Sequence, residues 1–348
     1  MMQTFADLAE RTHLLWLQRL SLASSDYITL SQLQQHDYRL LQSVRLCQRY
    51  LGNSDPELPD WLRTLLDNSA AELDTLLTLA VPLSAQALLA AMWLALQQQP
   101  TTHYVQQYRR AEQSQLLCLL ANKAVAAKLY QTMQALDLRS AVQLAGNYGL
   151  LDQRAVLQQL ADDQHQNAAI QAELHYSLYL LGQKSDESQL VQQLQKADCL
   201  TPRQLQLLLL AAPAERKVQI VNALCLTDIT LAINAMGFSG QSKFMPLLLE
   251  LSKQPAHQGA AQSALITMLG SLTADIAQRE PQAAGMPMPV SEQHLVAGTA
   301  VTELNLTETW ANGNQYQRFA AAAMLVLKQP GLALAEPNNW QGGIWPVA

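Results

Sequence analysis

Apolar residues recur every three to four positions along most of the chain, and the strict alternation that marks strands is nearly absent. In residues 4–23, for example, Phe5, Leu8, Thr12 and Trp16 lie on one helical stripe. Further helices are predicted over residues 60–66, 70–80, 84–98, 104–120 and 122–136. The pattern therefore predicts an all-α fold.

The second predicted helix carries an acid within its apolar stripe. A T-x-x-Q capping box, Thr29 and Gln32, marks its start, and Asp37 has the same helical phase as Leu33. A buried carboxylate needs a charged or hydrogen-bonding partner, so we predict that Arg19 of the preceding helix binds Asp37. The alternative is that Asp37 lies at the edge of the stripe, in contact with water.

Residues 232–270 read as a second copy of residues 142–182. Each copy has a G-x-x-G turn, a short helix, a polar turn and a small-residue helix that ends in Leu-Gly. The glycines that we predict to shape these turns are Gly146, Gly149, Gly182, Gly237, Gly240 and Gly270. The offset between the G-x-x-G turns is 91 residues, room for three units of roughly 30 residues, the period of helical-pair solenoids.

These features predict an α-solenoid of HEAT-like helical pairs over residues 137–277, preceded by a helical region over 1–136. A Pro/Gly-rich loop is predicted over 278–290. Residues 291–348 are predicted to hold C-terminal helices, with one restarting at Ser291, and an irregular tail that contains tryptophans.

Charge and cysteine content narrow the function classes. Charged residues make up only 14% of the chain and the net charge is -6, which argues against a nucleic-acid groove. The cysteines are far apart, each beside a leucine, and we expect buried, reduced thiols: Cys47, Cys118, Cys199 and Cys225. Without a leader-like or bilayer-length apolar segment, we expect a cytoplasmic protein that does not insert into membranes.

We find no catalytic, cofactor-binding or metal-ligating motif in the sequence. It contains no H-E-x-x-H, P-loop or dinucleotide fingerprint. Asp162, Asp163 and His165 could be mistaken for metal ligands, but they fall in a polar turn between repeat helices, where solvated charges are normal. We therefore expect no cofactor, no metal and no enzymatic activity.

Aromatic residues are the candidates for contact with a partner protein. Tyr148, Tyr176 and Tyr179 could line a recognition surface, although we expect at least one of them to pack in the core. Trp340 and Trp345 could dock into a partner, or fold back and cover the last apolar helix.

Several segments resemble a family of proteobacterial HEAT-repeat proteins, some of whose genes lie near type VI secretion clusters. The opening LAERTHLLWLQRL is similar to the family's first segment, YITLSQLQQHDYRL to its second, AINAMGFSGQSKFMPLLLELSKQ to its best-marked repeat and MPMPVSEQHL to its proline-bearing segment. The matching positions are Glu10, Leu15, Trp16, Arg19, Leu33, Asp37, Leu40, Ala235, Gly237, Gly240, Pro246 and Leu247. The resemblance implies a HEAT-like fold and a link to secretion.

The sequence favours a non-catalytic scaffold or accessory factor that binds one or more proteins. One alternative is an enzyme on a HEAT-like scaffold, such as a DNA glycosylase or a lyase. A glycosylase needs a basic concave groove, and Lys184, Arg203 and Lys243 are too sparse to form one. Another alternative is a structural subunit of a larger complex, which would expose a large apolar patch.

Overall fold

The structure is a computed structural model that describes residues 5–22, 28–50, 58–66, 79, 81–97, 123–163, 165–270 and 294–340. In these residues it contains sixteen α-helices, two short 3₁₀ turns and one two-stranded sheet. The predicted all-α class is confirmed. The helices predicted over 70–80 and 104–120 and the loop predicted over 278–290 lie outside the described residues.

Four helices of the N-terminal region are described: α1 Phe5–Leu22, α2 Leu30–Tyr50, α3 Asp60–Leu66 and α4 Leu83–Gln97. The predicted capping box is present, because the Thr29 hydroxyl accepts from the Gln32 amide and the Gln32 side chain accepts from the Thr29 amide. The indole rings of Trp16 and Trp61 stack at 5.2 Å between centroids and help to fill the shared core.

Ten helices follow between residues 123 and 270. They are α5 Lys123–Leu136, α6 Leu138–Asn147, α7 Arg154–Asp162, α8 Ala168–Leu180, α9 Glu187–Lys196, α10 Pro202–Ala211, α11 Ala214–Cys225, α12 Ile229–Ser239, α13 Met245–Leu251 and α14 Gln258–Leu269. Each odd-numbered helix packs on the even-numbered helix after it, and α6 packs on α8, α10 on α12, and α12 on α14. Because α5 packs on α6, its core continues across the boundary predicted at residue 137.

The two sequence copies have the same local structure. Asp137 and Asp228 are N-caps whose carboxylates accept from the amides of Ser140 and Leu231. The 3₁₀ turns Leu151–Gln153 and Ser242–Phe244 begin two residues after Gly149 and Gly240. Residues 137–182 are called the first copy below, and residues 228–270 the second copy.

The C-terminal region corrects one prediction. Instead of a helix restarting at Ser291, which lies outside the described residues, residues 295–300 form a hairpin of β1 Leu295–Val296 and β2 Thr299–Ala300. Its two loop residues, Ala297 and Gly298, have φ values of 57° and 80°, as a two-residue type I′ turn requires.

Two helices, α15 Leu306–Asn312 and α16 Gln315–Lys328, complete the fold. The second is one of the C-terminal helices predicted over 291–348 and carries four successive alanines at residues 320–323. Helix α15 packs on α2 and α16 packs on α10, so this helix pair joins the N-terminal region to the repeats. Residues 329–340, called the C-terminal strap below, are irregular, as predicted for the tail.

Candidate functional site

The predicted contact between Arg19 and Asp37 is present. Both side chains are 0% exposed, and Nε and Nη2 of Arg19 face the two carboxylate oxygens of Asp37. The same Nη2 also donates to the backbone carbonyls of Asn338 and Asn339, at 3.1 and 3.2 Å. Arg19 therefore joins α1 to α2 and also holds the end of the C-terminal strap.

Two further arginines bind the strap. Arg318 donates from Nη2 to the Pro337 carbonyl, and its guanidinium lies over the Trp310 ring, 5.3 Å from the centroid. Arg203 of α10 donates to the Glu336 carboxylate at 3.3 Å. Burial lowers the pKa of Arg318 to about 10, which leaves it charged at neutral pH. The three arginines fasten the strap to α1, α10 and α16.

The strap also fills the glycine turns of the first copy. Gly149 has a φ of 61°, and a Cβ atom there would lie 2.4 Å from the carbonyl carbon of Gly331. Near Gly182, with a φ of 87°, a Cβ would lie 3.1 Å from Cγ of Pro330. The Leu334 amide donates to the carbonyl of Asn147 at 2.6 Å. These turns need glycine both for their backbone conformation and for room.

The hairpin occupies the matching turns of the second copy. Gly240 has a φ of 62°, and a Cβ there would lie 2.4 Å from the carbonyl oxygen of Leu295, whose amide donates to the Gly240 carbonyl. Near Gly270 a Cβ would lie 2.9 Å from the carbonyl oxygen of Ala297. Gly240 and Gly270 thus have positive φ, which suits the turn-shaping role predicted for them, and each caps the helix before it.

The other two glycines predicted to shape turns, Gly146 and Gly237, instead lie inside α6 and α12, at points where two helices cross. A Cβ at Gly146 of α6 would lie 2.9 Å from Cα of Ser177 on α8. A Cβ at Gly237 of α12 would lie 2.7 Å from Cα of Ala264 on α14. Both glycines let two backbones approach more closely than any other residue would allow.

The tyrosines do not form one recognition surface. Tyr176 is only 4% exposed and packs in the main core, as we expected for at least one of the three. Tyr179 is half-buried and donates its hydroxyl to Glu187 at 3.0 Å, and Tyr148 is half-buried against the α5–α8 core. A partner could not contact the Tyr176 ring without opening the repeat.

Of the two tail tryptophans, Trp340 is half-buried and packs against the N-terminal core. It folds back, but onto the N-terminal region instead of the last apolar helix. Its indole Nε1 is buried and has no hydrogen-bond partner in the described residues. Trp345 lies outside the described residues.

Two buried carboxylates join neighbouring repeat helices. Glu173 of α8 accepts from Nε2 of Gln143 at 2.7 Å, from Nε2 of Gln204 at 3.2 Å and from Arg139 at 3.3 Å. Burial raises the pKa of Glu173, and the bonds from Gln143 and Arg139 oppose the shift. Glu187 of α9 pairs with Arg216 of α11.

The side chain of Lys217 is a buried cation beside the β1–β2 hairpin. Lys217 of α11 is 5% exposed, and its Nζ contacts Nδ1 of His294. Burial lowers the pKa of Lys217 to about 8 and the pKa of His294, with the Lys217 charge adding to the effect, to about 3. The neutral imidazole therefore accepts from the ammonium, and within the described residues no carboxylate pairs with Lys217.

Sequence reasoning missed most of these charged groups. Glu173 and Arg318 had a usable signal, since Glu173 is the only Asp, Glu, Lys or Arg in AAIQAELHYSLYL and Arg318 directly precedes the apolar run of QYQRFAAAAMLVLK. Lys217, His294 and Glu336 had none, because their partners are distant in the chain. One cysteine prediction is also wrong: Cys47 and Cys199 are buried, but Cys225 is exposed, and Cys118 lies outside the described residues.

The described residues contain no group of three or more His, Cys, Asp or Glu side chains arranged to hold a metal ion. Asp163 instead caps its own turn by accepting from the backbone amide of His165 at 3.0 Å. None of the helices in the described ranges combines the length and apolarity needed to cross a membrane. No protein-family model matches the chain, and neither a curated protein nor a solved structure is significantly similar to it.

Proposed function

We propose that this protein is a non-catalytic scaffold that binds other proteins through a HEAT-like α-solenoid. The regular packing of α5 to α14 in consecutive pairs supports the solenoid, because such stacks present a long surface for their mass. The resemblance of several segments to the HEAT-repeat family adds a context, an accessory role in a type VI secretion system.

The observation that carries the proposal is that buried charged side chains hold parts of the fold together. Arg19, Asp37, Glu173, Glu187 and Arg318 bind side chains or carbonyls of neighbouring elements, so they hold helices and the strap together. Several large apolar side chains, by contrast, are exposed, and they occur in pairs that are close in sequence. The pairs are Leu14 with Leu17, Leu46 with Tyr50, and Leu226 with Ile229. Exposed apolar groups of this kind favour binding to proteins.

The test is affinity purification of the tagged protein from its native cell, with mass spectrometry of what accompanies it. We expect specific protein partners, and sheath, baseplate or effector components if the secretion context is correct. A bait in which Leu226 and Ile229 are both changed to serine is a matched variant that probes one exposed pair. Recovery of an intact folded monomer with no partner would contradict the scaffold.

One observation favours the enzyme alternative. The Lys217 amine lies beside His294, and its lowered pKa of about 8 gives it more of the neutral, nucleophilic form than an ordinary lysine has. A glycosylase-like enzyme could condense such an amine with the aldehyde of an abasic DNA site, releasing water, and borohydride would reduce the imine to a stable amine. A DNA adduct that is absent from Lys217→Met would support the enzyme, and the absence of any adduct would remove it.

A further inference from the structure

One side of α2 presents arginine, tyrosine and leucine side chains to solvent. Tyr38 is 63% exposed and Tyr50 67% exposed. With 3.6 residues per turn, the six side chains named next fall within an arc of about 140° around the helix axis, and they extend for about 18 Å along the helix. The α2 outer face is defined by the exposed residues Tyr38, Arg39, Leu46, Arg49 and Tyr50 together with Arg45, which is half-buried; Gln42 also lies within the arc.

The charge of this face is not balanced within the helix. The only acid of α2, Asp37, is buried on the opposite side in its contact with Arg19. Across the part of the chain that the structure describes, no ion pair involves Arg39, Arg45 or Arg49. The face therefore carries three positive charges on a chain whose net charge is -6.

The spacing of these charges is unfavourable for an isolated helix. Arg45 and Arg49 are four residues apart, and like charges at that spacing repel each other along a helix. An acidic partner would remove the repulsion. Arginine and tyrosine are also residue types that carry much of the binding energy in protein interfaces. Leu46 adds an exposed apolar side chain to the same face as the two tyrosines.

The same features select the class of partner. Nucleic acid binding rests on many phosphate contacts, and three arginines on the face are few for that, so nucleic acid is disfavoured. A protein segment can combine a few carboxylates with one or two apolar side chains, which matches both components of the face. Its length of about 18 Å suits a partner helix of about twelve residues.

We infer that the α2 outer face docks an acidic segment of another protein, held by ion pairs to Arg39, Arg45 and Arg49 and by apolar contact with Tyr38, Leu46 and Tyr50. The inference rests on the proposed scaffold function and gives it a location and a partner chemistry. It is independent of the glycine turns and of the strap.

The first experiment measures binding of fluorescently labelled poly-L-glutamate by anisotropy, at low and at high salt. We expect salt-sensitive binding that weakens about tenfold or more in R39E/R45E/R49E. The matched control is R154E/K184E/K196E, which changes the net charge equally at exposed positions outside α2 and should bind like the natural chain. Equal loss in both variants, no binding at low salt, or tighter binding of single-stranded DNA through the same arginines would overturn the inference.

The second experiment places a photo-crosslinking amino acid at Tyr38, at Tyr50 or, to test the competing exposed surface, at Leu226, which is 89% exposed. In the native cell, we expect crosslinks from the two α2 positions to an acidic segment of one protein, and their loss when the three arginines are reversed. Crosslinks from Leu226 alone would overturn the α2 site and leave the scaffold standing. Absence of both crosslinks and co-purified partners would overturn both.

Discussion

The two copies have similar backbone conformations, but different parts of the C-terminal region pack on them. The C-terminal strap fills the first copy at Gly149 and Gly182, whereas the β1–β2 hairpin fills the second at Gly240 and Gly270. In both copies a covering segment donates a backbone amide to the carbonyl of a residue in or beside the G-x-x-G turn. The two copies therefore resemble each other also in how the covering segment binds to the turn, although the two covering sequences are unrelated.

The anchors of the two covering segments differ in charge balance. Arg19 holds the end of the strap and is paired with the carboxylate of Asp37. Lys217 holds the start of the hairpin through the neutral ring of His294. A buried pair and a buried lone cation have opposite consequences when the cation is removed, and the predictions below use that difference.

Replacing Arg19 by methionine should have the largest effect. The change leaves the Asp37 carboxylate buried without its partner and releases the carbonyls of Asn338 and Asn339. We expect a loss of about 3 to 5 kcal/mol in the free energy of unfolding, measured by urea denaturation. The double variant R19M/D37L should recover much of that loss. If the single change is harmless, Arg19 does not anchor the strap.

Alanine at Gly149 or at Gly240 should destabilise both copies to a similar degree. Each substitution forces a Cβ into the backbone of the covering segment at a positive φ, at a cost of about 2 to 4 kcal/mol. The control is Gly259→Ala in α14, where a Cβ meets nothing within 4 Å, so stability should stay equal or rise slightly. A large loss for only one of the two turns would show that the copies are not equivalent.

Replacing Lys217 by methionine should stabilise the protein at neutral pH, by about 2 kcal/mol. The pKa of Lys217 is lowered from 10.5 to about 8, so between these values the unfolded chain binds more protons than the folded one. The natural protein should therefore gain stability as the pH rises from about 8 to 10.5, and its deficit relative to Lys217→Met should shrink. Thermal unfolding of both proteins across that range measures the difference, and a constant difference would refute the assigned pKa.

The contrast between the copies also shows what the sequence could predict. The phase of Asp37 with Leu33 predicted a buried acid and its arginine partner, because periodicity reports which side of a helix is inside. The glycine turns could also be predicted from the sequence. The segments that cover them could not, because Leu334 and Leu295 bind through backbone amides, which leave no signature in the side chains.

The hairpin was missed for a local reason. Its strands have two residues each, too short for an alternating pattern, and an alanine takes a turn position where asparagine, aspartate or glycine is usual. Lys217 and His294 are separated by 77 residues, and nothing in either neighbourhood marks them as partners. Only the fold brings them together.

Glu173 should give the first copy the opposite pH dependence from Lys217. Burial raises its pKa above the ordinary value of 4.5, so the folded state holds this proton more tightly than the unfolded chain does. The resulting stabilisation is complete below pH 4.5 and is lost as the pH rises through the raised pKa. Stability of the natural protein relative to Glu173→Gln should therefore fall over that range. Glu303→Gln, which removes a carboxylate at an exposed position, is the matched control.

The smallest effect is expected where the helices cross. Ser177 donates its hydroxyl to the carbonyl of Val142 at 2.9 Å, whereas the second copy has Ala264 against Gly237 and no hydroxyl at that contact. Ser177→Ala should therefore cost about 1 kcal/mol, the value of one buried hydrogen bond. Ala264→Ser adds an atom to a tight crossing, so it should not stabilise the second copy. If Ser177→Ala costs nothing in urea denaturation, the small size of the residue alone sets the crossing in both copies.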